Sequence, residues 1–321
     1  MQVNNKQTIP VQKNLSSLAD LDQFFEDFKR HIQRHSGLDS DTSKSLLSYM
    51  QRFLSISHVF TTTEPFAFLT VETIRKSILD YAHSYGVGSY NWMRFSLRHF
   101  FLFCSYKGYI RPDFIECLPT FHHQVSAKIP KGIDPDSIEK LLLSIDYTTA
   151  TGKRDYAIIQ LLSTYGIRGI QLRHLCLNDI NWRKSTITFP GVKGGKSIIQ
   201  HLTPPVGNAL LSYIREARPT NVQYNEVFLT FRPAIRPFYC SGSFSGVIVR
   251  CIQKARIELP KGVSHGTHSF RHAFATRMIG KVPLKYIADM LGHLDLTSTL
   301  IYCKVDIAQL HDATEPWPEE V

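Results

Sequence analysis

The sequence predicts a mainly α-helical protein with a small β-sheet, built as an N-terminal four-helix domain followed by an α+β domain. Three observations carry this. Apolar residues recur at three- and four-residue spacing from about Ser17 to Phe121. A polar stretch holding proline and glycine, "HHQVSAKIPKGIDPDS" (122–137), then interrupts the pattern. Beyond it the helical period gives way once to a period of two, in "STITFP" and "SIIQHLTPP".

Residues 1–16 are expected to lack regular structure, and 17–121 form the helical domain. "LADLDQFFEDFKRHI" places Leu18, Leu21, Phe24, Phe25 and Phe28 on one stripe. "SDTSKSLLSYMQRFLSI" opens on capping residues and repeats the stripe through Leu46, Leu47, Met50, Phe53 and Leu54. "TVETIRKSILDYAHSY" and "SYNWMRFSLRHFFLFCSYKG" supply two more helices, with Gly86, Gly88 and Gly108 as breakers. Residues 122–137 read as a linker and 138–305 as the second domain. There Asp136 or Ser137 is expected to cap the helix "SIEKLLLSI". "RDYAIIQLLSTYGI" follows with an apolar face at Ala157, Ile158, Leu161, Leu162 and Tyr165. The two strands join through the turn "GVKGG", and from Pro205 onward the pattern is helical to a tail at 306–321.

Composition narrows the function. The chain has 321 residues, enough for two domains with separate cores. No apolar run reaches the roughly 18 residues of a membrane span. The start "MQVNNKQTIPVQKNLSS" lacks a secretory apolar region, so a cytoplasmic protein with no membrane partner is expected. The six cysteines form no CxxC pair and are expected to be reduced. Cys117 with His122 and His123 lacks a second ligand pair, so no metal site is expected. Lys and Arg outnumber acids 37 to 27, a net +10. The surplus falls on both sides of residue 130, at +3 (14 basic, 11 acidic) and +7 (23 and 16). A surface that meets a polyanion along its length suits that distribution better than a basic tail.

Four segments hold chemistry-bearing residues. Arg168 in "TYGIRGIQL" follows a helix-breaking glycine, which frees it to point at a ligand. Lys193 in "FPGVKGGKS" sits at the hairpin tip, where glycines let the backbone approach a large anion. In "HSFRHAFATRM", His268 and Arg271 share one helix face, and Phe270, Phe274 and Met278 make the core face. A titratable imidazole beside a guanidinium suits phosphate chemistry, whereas His272 reads as a helper or packing histidine. In "LGHLDLTSTLIY", Gly292 ends a short helix packed through Leu284, Ile287, Met290 and Leu291, and His293 starts the turn toward Tyr302. Arg94, Arg98 and Lys107 alternate with Trp92, Phe95, Phe100 and Phe101. They are candidate DNA contacts, as is Lys196.

These segments, in this order, resemble the tyrosine recombinase (phage integrase) family over nearly the whole chain. The family site of Arg, Lys, His-x-x-Arg, His or Trp, and Tyr is matched by Arg168, Lys193, His268, Arg271, His293 and Tyr302. The nine-residue step from His293 to Tyr302 is the family's usual one. One departure is Gln171, where the family commonly has an acid; Asp179 fills the usual acidic spot in "LRHLCLNDINW".

The residue types fit the chemistry. Two arginines grip phosphate oxygens in forked geometry better than lysines do. A tyrosine ester preserves the energy of the phosphodiester for resealing. At a free pKa of about 10, roughly one phenol in a thousand is ionised at pH 7, so nearby cations or a base must help. The resemblance implies that Tyr302 attacks, leaving a 3′-phosphotyrosyl link and a 5′-hydroxyl. Arg168, Arg271 and His293 would hold the phosphate, Lys193 would protonate the leaving oxygen, and His268 would assist proton transfer. It implies no cofactor, neither metal nor ATP. The partners it implies are a double-stranded recombination site, a homodimer or homotetramer on DNA, and accessory DNA-binding proteins. The tail, with Ile307, Leu310 and Trp317, is expected to dock on a neighbouring protomer, and packing on its own domain is the alternative. The short N-terminus points to a compact Xer-like or mobile-element integrase. Other readings are a type IB topoisomerase-like nicking and resealing enzyme and a non-catalytic DNA-binding protein.

Overall fold

The structure is a computed structural model that describes residues 18–38, 40–57, 70–85, 87–110, 112–116, 118, 131–192, 195–231, 233–293, 298–300 and 302. Lys193, Cys117, His122, His123, residues 1–16, most of the linker and the tail with Ile307, Leu310 and Trp317 lie outside them. The chain divides into two compact units, Met1–Val125 and Ser126–Val321.

The first unit contains α1 (Leu18–His35), α2 (Ser40–Ser57), α3 (Val71–Tyr85) and α4 (Val87–Tyr106). Their apolar stripes meet in one core. Phe24, Phe28, Met50, Phe53, Ile74, Ile78, Leu97 and Phe100 are all buried. Aromatic rings dominate the α1–α4 seam: Phe28 and Phe100 meet edge to face at 5.4 Å, the arrangement their quadrupoles favour. Gly108, at φ +79°, ends the last helix turn. Gly88, expected to break a helix, instead lies in the first turn of α4, where backbone N–H groups need no partner within the helix. Arg98 and Lys107 are exposed, and Arg94 is half-buried.

The second unit is built around α6 (Ala150–Tyr165). Ala157, Ile158, Ile159, Leu161 and Leu162 are buried around its circumference, as expected of a helix enclosed on every side. It packs against α8 (Pro204–Glu216), α9 (Ser243–Lys254) and α10 (Thr267–Met278). α5 (Pro135–Ser144) starts earlier than the sequence pattern suggests. Its N-cap is Asp134, whose side chain accepts from the Ser137 N–H at 2.8 Å. Asp136 and Ser137, the expected caps, lie inside the helix because Pro135 is already shaped for its first turn.

The sheet has three antiparallel strands in the order β1 (Ile180–Asn181), β2 (Thr186–Phe189), β3 (Ile198–His201). Ile187 pairs with Gln200 and Phe189 with Ile198. Alternation puts Ile187 and Phe189 in the core. Tyr165 fastens this hairpin to α6: its hydroxyl donates to the His201 carbonyl at 2.7 Å and accepts from the Thr203 N–H at 3.2 Å. The expectation of helix from Pro205 onward is corrected by β4 (Leu229–Thr230) and β5 (Arg236–Pro237), an antiparallel pair between α8 and α9. The buried Arg154 guanidinium donates to Asp155 and to the Leu229 carbonyl, which anchors that pair. No described helix is long and apolar enough to cross a membrane.

Candidate active site

The site forms where α6 ends, α10 begins and α11 (Leu284–Leu291) stops. Gly166 closes α6 at φ +59°, and a Cβ there would sit 2.7 Å from that of Phe274. Only glycine permits both that turn and the close approach of α10. Two residues on, Arg168 is the N-cap of α7 (Gly169–Arg173). Its guanidinium Nη1 donates to the carbonyls of Gly292, at 3.0 Å, and Leu291, at 3.3 Å.

Arg271 approaches the same place from α10. It is 3% exposed. Its Nη1 donates to the Gly166 carbonyl at 3.0 Å and its Nη2 to the Leu291 carbonyl at 2.8 Å. Both arginines therefore rest on the C-terminal carbonyls of α11, the end of a helix that favours cations. Burial and the nearby Arg168 push the Arg271 pKa down to about 9, which leaves it cationic at neutral pH. Burial also lowers that of Arg168, and Tyr302 opposes the shift.

Gly292, left-handed at φ +62°, ends α11 and delivers His293. His293 is half-buried, and its Nδ1 lies 2.6 Å from Oγ1 of the fully buried Thr299. Burial, Arg271 and Arg168 push its pKa down to about 4, so the ring is neutral at pH 7.

Tyr302 is 2% exposed and packs with Phe274, Ala275, Ile287 and Leu291. Burial raises its pKa, while Arg271 and then Arg168 pull it down. Its hydroxyl lies 2.8 Å from Nδ1 of His272, the histidine that the sequence pattern reads as a helper or packing residue. His268 is exposed on α10, one turn before it, with the two histidine rings 6.3 Å apart.

Of the six candidates, Arg168, Arg271, His293 and Tyr302 gather around the end of α11. Lys193 lies outside the described residues, but the strands flanking its turn are in place, and Lys196 is exposed beside it. Gln171 links the two regions. Its buried side chain accepts from the Arg168 N–H at 3.0 Å and donates to the Pro190 carbonyl at 3.2 Å. A carboxylate could make only the first of these bonds. His272, Thr299 and Gln171 have partners 30, 6 and 19 residues away. Local spacing pointed to Gln171, three residues after Arg168, and to His272, next to Arg271, but held no signal for Thr299.

Comparison with known proteins places the chain in a family. Residues 131–309 match the Phage integrase family. A Sinorhizobium fredii protein, y4rA, whose name assigns it provisionally to the integrases and recombinases, is 34% identical over 226 residues. That match takes in 70% of this chain, and the chain spans 54% of the relative's length. Tyrosine recombinase XerD of Listeria innocua is 27% identical over 304 residues, covering 91% of this chain and 97% of XerD. Among solved structures, a lambda integrase (75–356) dimer bound to a COC′ core site matches at a TM-score of 0.64 and 14% identity, covering 94% of this chain and 98% of that one. The chain belongs to the phage integrase family of tyrosine recombinases, enzymes that cleave and rejoin DNA strands.

Proposed function

We propose that the protein is a site-specific recombinase whose nucleophile is Tyr302, acting on a double-stranded DNA site for the integration, excision or resolution of a DNA element. The observation that carries this is the convergence of Arg168 and Arg271 on the end of α11, within electrostatic reach of the Tyr302 hydroxyl. Two fixed cations and a neutral histidine, His293, make a receptacle for a phosphodiester. The arginines are held by main-chain carbonyls before any DNA arrives, so little reorganisation is needed at the moment of reaction.

In this reading Tyr302 attacks the scissile phosphorus and forms the 3′-phosphotyrosyl link. The 5′-oxygen leaves with a proton from Lys193, and His268 assists proton transfer. Attack by a different 5′-hydroxyl reverses the step and joins new strands. The net charge of +10, the exposed Arg98 and Lys107 with Arg94 on the first unit, and the exposed Lys196 on the second support contacts to phosphate from each unit. The lambda integrase match is a dimer on DNA, and we extend that arrangement here to a homodimer or homotetramer on paired sites. The workplace is the cytoplasm, on the nucleoid, with accessory DNA-binding proteins as further partners.

The test is covalent trapping. Nicked duplexes of random sequence are incubated with the protein, denatured, and whatever stays attached is sequenced, with Tyr302→Phe alongside. The expected result is adducts from the unaltered protein alone, enriched for one sequence. Adducts without enrichment indicate nicking and resealing of the topoisomerase kind. No adduct at all indicates a DNA-binding protein without this chemistry.

A further inference from the structure

The six-residue pattern gives His272 no task, yet this is the imidazole that meets the Tyr302 hydroxyl. Nδ1 lies 2.8 Å from Oη, and the rings are 5.6 Å apart at a 55° tilt. The contact is held from both sides. Arg271, next in the chain, is tied to the Gly166 and Leu291 carbonyls, and Tyr302 is packed against Phe274, Ile287 and Leu291. At the least, the contact satisfies the buried Tyr302 hydroxyl.

The surroundings of His272 favour more than that. His268 and Arg271 on α10 are the charged or titratable groups that act on it, besides Tyr302 itself. The α11 residues of the same cluster, Ile287, Met290 and Leu291, are apolar. Burial, then His268 and Arg271, push its pKa down to about 4, so at pH 7 the ring is neutral and one nitrogen carries a lone pair. In the tautomer with its hydrogen on Nε2, Nδ1 accepts from the phenol, which is protonated at pH 7. A phosphodiester held by Arg168 and Arg271 would offset the positive field that weakens this base, so His272 becomes more basic when substrate is in place.

We infer that His272 is the general base that takes the phenolic proton from Tyr302 during attack on the phosphate, an assignment that rests on Tyr302 being the nucleophile. The Tyr302 O–H bond breaks as Nδ1–H forms, and the electron pair left on Oη makes the new O–P bond. The P–O5′ bond breaks with its electron pair, and the leaving oxygen is protonated by the acid on its own side. On rejoining, the incoming 5′-hydroxyl loses its proton to that acid's conjugate, and His272 returns its proton to Oη.

The experiment uses the full chain, with pooled nicked duplexes of random sequence as probe and initial rates of adduct formation as readout. His272→Ala and His272→Gln are compared with the wild type and Tyr302→Phe. The wild type and the two His272 variants are also prepared with a fluorinated tyrosine of lower phenolic pKa at position 302. The glutamine can still accept a hydrogen bond from the phenol but cannot take its proton. Both His272 variants are expected to be slower by about a hundredfold or more at pH 7. Their rates should climb with pH, and the fluorinated tyrosine should close the gap to the wild type. A His272→Gln rate near the wild type would reduce the histidine to a hydrogen-bond partner and overturn the inference. So would slow variants that neither pH nor the fluorinated tyrosine restores, since that marks a structural role. Adducts undiminished in Tyr302→Phe, or absent from the wild type, would overturn the nucleophile reading and this inference with it.

Discussion

Arg168 and Arg271 donate to the same oxygen, the Leu291 carbonyl, at 3.3 and 2.8 Å. They come from different elements, one at the N-cap of α7 and one inside α10, and a third element, α11, sets the distance between them. Two like charges held this close cost energy in an empty site. A bound phosphate would offset that cost, which makes the pair a receptor for an anion.

Replacing Arg271 with lysine keeps a charge but loses the fork that spans the Gly166 and Leu291 carbonyls. Adduct formation should fall by on the order of a hundred- to a thousandfold, as when one preorganised donor is lost. Stability should fall by about 1–3 kcal/mol, since a buried carbonyl is left unpaired. Single-turnover trapping and urea denaturation measure the two effects separately.

Gln171→Glu restores the acid common in the family, and in this chain it should be harmful. The carboxylate can still accept from the Arg168 N–H but faces the Pro190 carbonyl with no hydrogen to donate. A loss of about 1–3 kcal/mol in urea denaturation at pH 7 is expected. Unchanged stability would mean that the loop after β2 adjusts freely.

Thr299→Val removes the hydroxyl 2.6 Å from His293 while keeping its shape. Folding should lose about 0.5–1.5 kcal/mol. The rate of adduct formation should drop by more than the amount of folded protein does, because a freed imidazole no longer presents a fixed edge to the phosphate. Circular dichroism and trapping on the same samples separate the two losses.

His272 and His293 both fall from an ordinary 6.5 to about 4 in the folded protein. Between those values the unfolded chain binds more protons than the folded one, so their contribution to stability is present above about pH 6.5 and is lost as pH falls toward 4. Denaturant midpoints across that window should slope less steeply in the His272→Gln/His293→Gln double variant than in the wild type.

Much of this fold was legible in the sequence because long amphipathic stripes have few ways to hide. Phe24, Phe28, Met50 and Phe53 repeat often enough to mark helices and a shared core. Gly166 and Gly292 marked the two chain turns that deliver Arg168 and His293. β4 and β5 escaped notice because they are two residues each, too short to display a period of two. The cap at Asp134 was missed because the apolar pattern begins after Pro135, although the proline itself was a start signal. The roles of Gln171, His272 and Thr299 depend on partners that only the folded chain brings near. Such pairings leave no spacing to read.

The most direct test of the account is to digest the trapped protein–DNA adduct and identify by mass spectrometry which side chain carries the nucleotide. A phosphodiester on Tyr302 is expected, in the peptide that also contains Thr299, and no such peptide after Tyr302→Phe. A nucleotide attached to any other residue, or a link that survives Tyr302→Phe, would contradict it.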